Sequence, residues 1–159
     1  TTVALVMGDA LSVALMKEKE FAVEDFAKFH PGGSLGRKIL TRVKDVMVTK
    51  NLPIVRTHTS MKEVITIMTS TRFGTAIVLD DCQHVLGVIT DGDLRRALNE
   101  HEKILTLMVG NIMTKQPKMI SKDTKLIDAE KFIQKHEVVT LIVSDDSRRL
   151  LGLLQYHKK

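Results

Sequence analysis

The chain of 159 residues is 43% hydrophobic and 27% charged, which is typical of a folded domain and excludes an intrinsically disordered chain. Its single cysteine excludes a disulfide framework and a cysteine-based zinc site within one chain, and no apolar run approaches the roughly 20 residues that a bilayer span needs. The formal net charge of +5 favours an anionic partner, but one tyrosine and no tryptophan argue against an aromatic surface for stacking nucleic-acid bases.

Helices and one sharp turn are predicted for the residues before Val43. Apolar residues at helical spacing predict a first helix over 8–19, which Asp9 can cap, and a short second helix over 24–29. The string from His30 to Gly36 contains a proline and three glycines, so it interrupts the helix. Ser34 can then cap a third helix that runs towards Val43.

From Val43 onward the sequence repeats itself, and residues 75–87 align with 140–152 without gaps at an offset of 65 residues. A helix opened by the capping box Ser60-x-x-Glu63 precedes two β-rich runs around an Asp-Asp turn, and the same order follows a second helix predicted to start at Thr124. Between Thr75 and Gly87, seven of the thirteen aligned positions are identical. The sequence therefore predicts a duplicated β-α-β-β unit whose copies pack their apolar faces together and leave clefts between them. The predicted strands are 75–79, 85–89, 140–144 and 150–154.

The end of the first copy carries residues with binding chemistry. An apolar strand leads through Thr90 into a glycine-containing turn and a helix start, a place that suits phosphate because unpaired N–H groups lie there. Thr90 can donate to a phosphate oxygen, Asp93 can accept from a ribose diol, and Arg95 or Arg96 can add positive charge. The alternative interpretation is that Thr90 and Asp93 form a capping box that only closes a structural turn.

These features together resemble a tandem pair of CBS (cystathionine-β-synthase-type) domains. They are the string Gly87-Val88-Ile89-Thr90-Asp91-Gly92-Asp93-Leu94-Arg95-Arg96, the pair Val46-Met47 that recurs as Ile112-Met113, and the duplication itself. The resemblance implies an α/β (α+β) fold of β-α-β-β-α repeats with pseudo-twofold symmetry. The first repeat is expected over 43–101 and the second, truncated at its end, over 109–159.

The resemblance also implies roles for single residues. Thr90 is expected at a phosphate, Asp93 at a ribose and Ile54 at a nucleobase, while Arg95 adds charge. In the second copy Gln155 replaces the hydroxyl and Lys158 the carboxylate. The second nucleotide site is therefore expected to be degenerate, differently specific or damaged by truncation.

The residues before the repeats resemble the C-terminal edge of a sugar isomerase (SIS) domain. This resemblance rests on three strings, at 8–15, 24–26 and 29–37. It predicts an SIS remnant and connector over 1–42. An SIS domain followed by a CBS pair resembles the bacterial D-arabinose-5-phosphate isomerases, which interconvert ribulose 5-phosphate and arabinose 5-phosphate through an enediol. These enzymes serve the octulosonate branch of lipopolysaccharide or capsule synthesis, and the resemblance implies His30 as an active-site histidine. The rest of such a site is absent, so this chain alone is expected to be inactive.

The function expected from these patterns is regulation by a nucleotide or nucleotide-sugar, either the cytidine-activated octulosonate (CMP-octulosonate) as feedback inhibitor or AMP or ATP. The partners expected are further copies of the chain, as a CBS dimer and a tetramer of the full protein, in the cytoplasm, with no membrane, nucleic acid or cofactor. Two other hypotheses remain: a purely structural dimerisation module, and a CBS-linked nucleic-acid regulator.

No metal is expected, since the turn Asp80-Asp81-Cys82-Gln83-His84 aligns with Asp145-Asp146-Ser147-Arg148-Arg149, which lacks cysteine and histidine.

Overall fold

The computed structural model describes residues 1–22, Asp25 and residues 40–155, and it shows the mixed α/β fold that the sequence predicts. The helix predicted from residue 24 falls outside these residues except for Asp25, as does the start of the helix expected after Ser34. The helices are α1 (Thr2–Glu18), α2 (Val43–Val46), α3 (Met61–Thr71), α4 (Asp91–Glu100) and α5 (Leu126–His136). The strands are β1 (Ile54–Arg56), β2 (Thr75–Leu79), β3 (Val85–Thr90), β4 (Thr114–Lys115), β5 (Met119–Ser121), β6 (Thr140–Ser144) and β7 (Leu150–Gln155).

Two sheets repeat the same strand arrangement. One has the order β1-β2-β3-β4 and the other β5-β6-β7, each with a parallel first pair and an antiparallel hairpin. Thr75 lies opposite Thr90 in the first hairpin, and Thr140 lies opposite Gln155 in the second. The register shifts after Val78 in one hairpin and at the equivalent place in the other. This shared register confirms that the two copies fold alike.

The helix between the first two strands of each repeat, α3 or α5, packs on its own sheet. The Ser60 hydroxyl caps α3 by accepting a hydrogen bond from the Glu63 N–H at 3.4 Å, as the sequence predicts. The expected start of the second helix at Thr124 is wrong by two residues, because α5 begins at Leu126. The reason lies in the backbone, since the Thr124 carbonyl accepts from the Val43 N–H and the Leu126 N–H donates to Thr41. Residues at the start of the first repeat therefore hold the entrance to α5.

The two repeats exchange short segments. Strand β4, at the start of the second repeat, pairs with β3 of the first, and Val48 forms a bridge to Leu153 of the second. Val43 is fully buried in a core that contains Ala129 and Leu141, whereas Val109 packs into the core around α3. Each of these two hydrophobic cores therefore contains residues from both sequence repeats. This exchange ties each repeat to the other through backbone hydrogen bonds as well as side chains.

A shared apolar cluster joins the two sheets. Ile77, Leu79 and Val85 from the first repeat pack with Ile142 and Leu153 from the second, and all five are buried. The two hairpin turns also meet, because the Val85 N–H donates to the Arg148 carbonyl at 2.9 Å. The apolar faces of the two copies thus cover one another, as the duplication predicts.

Helix α1 begins six residues before the predicted start at Gly8. Asp9 therefore lies inside the helix and does not cap it, because the apolar and small residues before Gly8 continue the helix. None of its residues is buried, and large apolar side chains such as those of Val3 and Met7 are exposed. Across the described ranges, no helix combines the length and apolar character needed to cross a bilayer.

Candidate functional site

A cleft of about 580 Å³ lies between the two repeats at the start of α4. One wall comes from the first repeat and includes Thr90, Asp93 and Arg95, three of the predicted site residues. The other wall comes from the second repeat, from the segment before β5 and from the turn between α5 and β6. The second wall contains Thr114, Gln116, Pro117, Lys118, Glu137, Val138, Val139, Thr140 and Ile142.

Thr90 and Asp93 form a complete capping box at the start of α4. The Thr90 hydroxyl accepts from the Asp93 N–H at 3.2 Å, and Asp93 Oδ2 accepts from the Thr90 N–H at 2.8 Å. The Thr90 hydroxyl also donates to Asp93 Oδ2 at 2.8 Å. The predicted capping box is therefore present, and the same pair lines the cleft. A ligand that uses both residues would bind to a helix start that is already capped.

Asp93 holds a buried carboxylate with four donors. Besides Thr90, the Arg96 guanidinium donates to Asp93 Oδ1 at 2.5 Å and the Thr114 hydroxyl at 3.2 Å. Burial alone raises the pKa of the Asp93 carboxyl, but the hydrogen bonds from Thr90, Arg96 and Thr114 together lower it below its ordinary value. Asp93 is therefore an anion at neutral pH, able to accept from a ligand hydroxyl.

The charged side chains in the cleft include donors suited to an anion. Arg95 and Lys118 approach it from opposite repeats, and Arg96 lies beside Asp93. The first turn of α4 already uses the Asp91 N–H, which donates to the Gly74 carbonyl at 3.1 Å. A phosphate at this helix start would therefore depend on the cationic side chains as well as on the helix.

The structure does not bring all predicted ligand residues to one place. Ile54 lines a different hollow, of about 640 Å³, together with Lys50, Asn51 and Phe73. Gln155 pairs with Thr140 in the sheet. His30 and Lys158 lie outside the described residues, so the roles suggested for them stay predictions. The contact of Ile54 with a nucleobase also stays a prediction. A nucleobase at Ile54 would lie in a hollow that neither Thr90 nor Asp93 lines.

Sequence reasoning missed the residues that the second repeat contributes to the cleft. Thr114 and Lys118 precede β5, far along the chain from Thr90, and no local pattern relates them. The available signal was the duplication, since a twofold arrangement brings the start of one copy to the end of the other. The pairing of Arg96 with Asp93 was accessible from their spacing of three residues on one helix.

The turn between β2 and β3 brings together three side chains of types that can bind a metal ion. Ligand atoms of Asp80, Cys82 and His84 all lie within 4.8 Å of one another. The carboxylate already serves the turn, since Asp80 Oδ1 accepts from the N–H groups of Cys82 and His84 at 2.9 and 2.8 Å. The backbone hydrogen bond from His84 is the main influence that lowers the pKa of Asp80. The expectation of no metal stays a prediction.

A family model described as "CBS domain" matches residues 43–100 and 109–156, which are the two copies found in the fold. The chain belongs to the CBS domain family. Its structure is similar to that of the CBS protein CBSX2 in complex with AMP, with a TM-score of 0.64 and 29% identity over 72% of this chain and 89% of that one. Two matches to the family model and two equivalent sheets establish a tandem CBS pair.

Curated relatives of the CBS pair include arabinose 5-phosphate isomerases. KpsF of Escherichia coli is 41% identical over 155 residues, covering 98% of this chain and 47% of that protein. KdsD of Pseudomonas aeruginosa is 39% identical over 158 residues, covering 99% of this chain and 48% of that protein. The chain thus spans about half the length of these relatives, and the similarity extends across α1 as well as the CBS pair.

Proposed function

We propose that this chain is the nucleotide-sensing part of a cytoplasmic D-arabinose-5-phosphate isomerase, formed by the last part of an SIS domain and a CBS pair. The observation that carries the proposal is the position of Thr90 and Asp93, which lie at a helix start that opens into the cleft between the repeats. The isomerase relatives support the parent enzyme, and the AMP complex of CBSX2 supports a nucleotide ligand.

A nucleotide can be matched to the cleft group by group. Its ribose hydroxyls would donate to the buried Asp93 carboxylate, and its phosphate would lie beside Thr90 and accept from Arg95 and Lys118. Val139 is an apolar side chain with 65% of its surface exposed at the opposite wall, where a nucleobase would cover it. The proposed ligand is either AMP or ATP, or a nucleotide-sugar such as CMP-octulosonate.

The chain offers a direct route from the cleft to the preceding SIS segment. Residues 41–48 are bound to the second repeat, since Leu126 donates to Thr41, Val43 donates to Thr124, and Val48 pairs with Leu153. A ligand that favours one spacing of the repeats would therefore favour one position of this segment. The coupling reaches His30, the proposed active-site histidine, only if the ligand binds the two arrangements unequally.

Calorimetry of this chain with AMP, ATP and CMP-octulosonate tests the sensing role. At least one ligand should bind with a dissociation constant below a millimolar, and the double change Thr90→Ala and Asp93→Ala should weaken it roughly tenfold to a hundredfold, since it removes hydrogen bonds to a charged ligand. Asp81→Ala on the exposed hairpin turn is the matched control. If none of the three ligands binds at millimolar concentration, the sensing role is wrong.

The link to catalysis needs the full-length enzyme. A ligand found by calorimetry should change the rate of ribulose 5-phosphate isomerisation, whereas this chain alone should show no isomerase activity. The double variant should keep the basal rate and lose the response to the ligand. If the full-length enzyme binds the ligand but its rate and substrate affinity do not change, the proposed regulation is wrong. The proposed ligand binding would still hold.

Assembly is a second candidate function, favoured by exposed apolar side chains beside α4. Leu98, Leu105 and Met108 expose between 51 and 54% of their surfaces. We propose that a second copy of the CBS pair covers them. Analytical ultracentrifugation should show a dimer that Leu98→Asp weakens, while a monomer at all concentrations would refute the dimer. A purely structural role also requires that Thr90→Ala with Asp93→Ala changes no ligand response.

A further inference from the structure

We infer that Arg96 is released by the ligand: a vicinal diol takes its place at Asp93, and the freed guanidinium then binds the phosphate of the same ligand. The inference rests on the proposed nucleotide binding and deepens it. It assigns to the cleft a ligand class defined by two groups, a diol and a phosphate, that are recognised as a coupled pair.

The two oxygens of the Asp93 carboxylate have different partners. Oδ2 accepts from the backbone N–H and hydroxyl of Thr90, both at 2.8 Å, and this capping is part of the fold. Oδ1 accepts from Arg96 at 2.5 Å and from Thr114 at 3.2 Å, and both of these side chains line the cleft. An incoming hydroxyl can therefore compete for Oδ1 without disturbing the helix start.

Burial decides which partner moves. The Asp93 side chain is only 9% exposed, whereas that of Arg96 is 68% exposed. A buried carboxylate needs a donor at all times, but an exposed guanidinium loses little when it turns to water or to another anion. Arg96 can therefore leave provided that the ligand supplies a hydroxyl in its place.

The exchange couples the two halves of the ligand. A nucleoside has to displace Arg96 and offers no anion in return, so it binds poorly. A phosphate without a diol leaves Arg96 bound to Asp93 and is held by the remaining cations. Only a ligand with both groups gains the hydrogen bonds at Asp93 and the ion pair with Arg96. The affinity contributed by phosphate should therefore be larger when the diol is present.

Substitution of Arg96 gives a prediction with opposite signs for two ligands. Arg96→Met should weaken the binding of AMP by roughly ten- to a hundredfold, because an ion pair to the phosphate is lost. The same change should tighten the binding of adenosine by about two- to fivefold, because the diol no longer has to displace a partly exposed ion pair. Arg95→Met is the matched control: this neighbour also lines the cleft, and its loss should weaken AMP and leave adenosine unchanged.

A cycle of four ligands tests the exchange on the unchanged chain, so the result does not depend on how a variant folds. Calorimetry compares AMP with adenosine, and 2′,3′-dideoxy-AMP with 2′,3′-dideoxyadenosine. The affinity ratio in the first pair should exceed that in the second by about tenfold. Equal ratios, or adenosine bound no better by Arg96→Met, overturn the exchange while AMP binding keeps the sensing role. No binding of AMP or the other nucleotides overturns both.

Discussion

At the scale of single residues, Asp93 serves the fold and the proposed ligand with different oxygens. Its backbone sits at the third position of α4, where Oδ2 completes the capping box with Thr90. Removing the charge therefore affects stability even without ligand. The direction of the pKa shift fixes the pH range in which this contribution exists.

Asp93→Asn should lower the free energy of unfolding at pH 7 by about 1–2 kcal/mol, the usual effect of weakening a capping box and losing charged hydrogen bonds. Because the folded-state pKa of Asp93 lies below its ordinary value, the contribution is complete above the unfolded-state pKa and disappears as pH falls through the folded-state pKa. Urea unfolding should show a smaller difference in the free energy of unfolding between Asp93→Asn and the unchanged chain below pH 4 than at pH 7. Asp91→Asn, on the same helix turn, is the control, and an equal difference at both pH values would contradict the assignment.

Two equivalent glycines allow the repeats to approach one another. A Cβ on Gly87 would lie 2.9 Å from the Thr114 carbonyl oxygen, and one on Gly152 would lie 2.6 Å from that of Val48. Both oxygens belong to the exchanged segments, so the backbone would have to shift. The glycine that the two copies share is thus explained by contacts between the repeats.

Gly87→Ala and Gly152→Ala should each lower the free energy of unfolding by about 1–3 kcal/mol, as overpacking of a tight contact does. Gly8→Ala is the control, since nothing lies within 4 Å of its added methyl group, and it should leave the chemical denaturation midpoint unchanged or raised. Full stability in both cross-repeat variants would contradict the close contacts.

At the scale of elements, long periodic segments were predictable and short ones were not. The patterns predict β2 and β6 with their observed bounds. Strand β4 has two residues and β5 has three, too few for any periodic signal, and β4 exists because it pairs with the other repeat. The same cause explains why α5 begins later than Thr124, since the neighbouring backbone pairs with residues 41–43.

The residues of the site were likewise predictable only where they lie on one local stretch of chain. Thr90, Asp93 and Arg95 lie on one continuous stretch of chain, so a local string was enough to predict them. Thr114 and Lys118 reach the cleft only through the packing of two copies. Ile54 differs from both groups, because the hollow that it lines is formed by residues of the first repeat alone. Local patterns thus predict half of such a site, and the packing of the repeats determines the other half.

The cap of α3 gives a prediction for an element. Ser60→Ala should lower the free energy of unfolding by about 1 kcal/mol, because the Glu63 N–H loses its acceptor. Thr66→Ala, in the interior of the same helix, is the control, since the Thr66 hydroxyl only donates to the carbonyl of Lys62. Thermal unfolding by circular dichroism would measure both. Equal effects of the two changes would contradict the capping role.

At the scale of the whole molecule, exchanged segments and a shared apolar cluster make the CBS pair one cooperative unit. Neither repeat completes its core alone, because Val43 packs with the second repeat and Val109 with the first. This arrangement lets a ligand between the repeats act on both. It also determines how the chain should unfold.

Calorimetric unfolding of residues 40–155 should show one transition for the CBS pair. Leu153→Ala, at a fully buried position of the shared cluster, should lower the free energy of unfolding by about 2–5 kcal/mol and keep a single transition. Lys62→Ala, at an exposed position of α3, should change it by less than about 0.5 kcal/mol. Two separate transitions would mean that the repeats fold independently.

Crystals of this chain grown with AMP or with CMP-octulosonate would show whether the two repeats enclose a nucleotide site at Thr90 and Asp93. We expect electron density for the ligand in the cleft, with a sugar hydroxyl within hydrogen-bond distance of Asp93 and a phosphate beside Thr90 and the arginines. A ligand bound elsewhere, with Thr90 and Asp93 facing no ligand, would contradict this expectation.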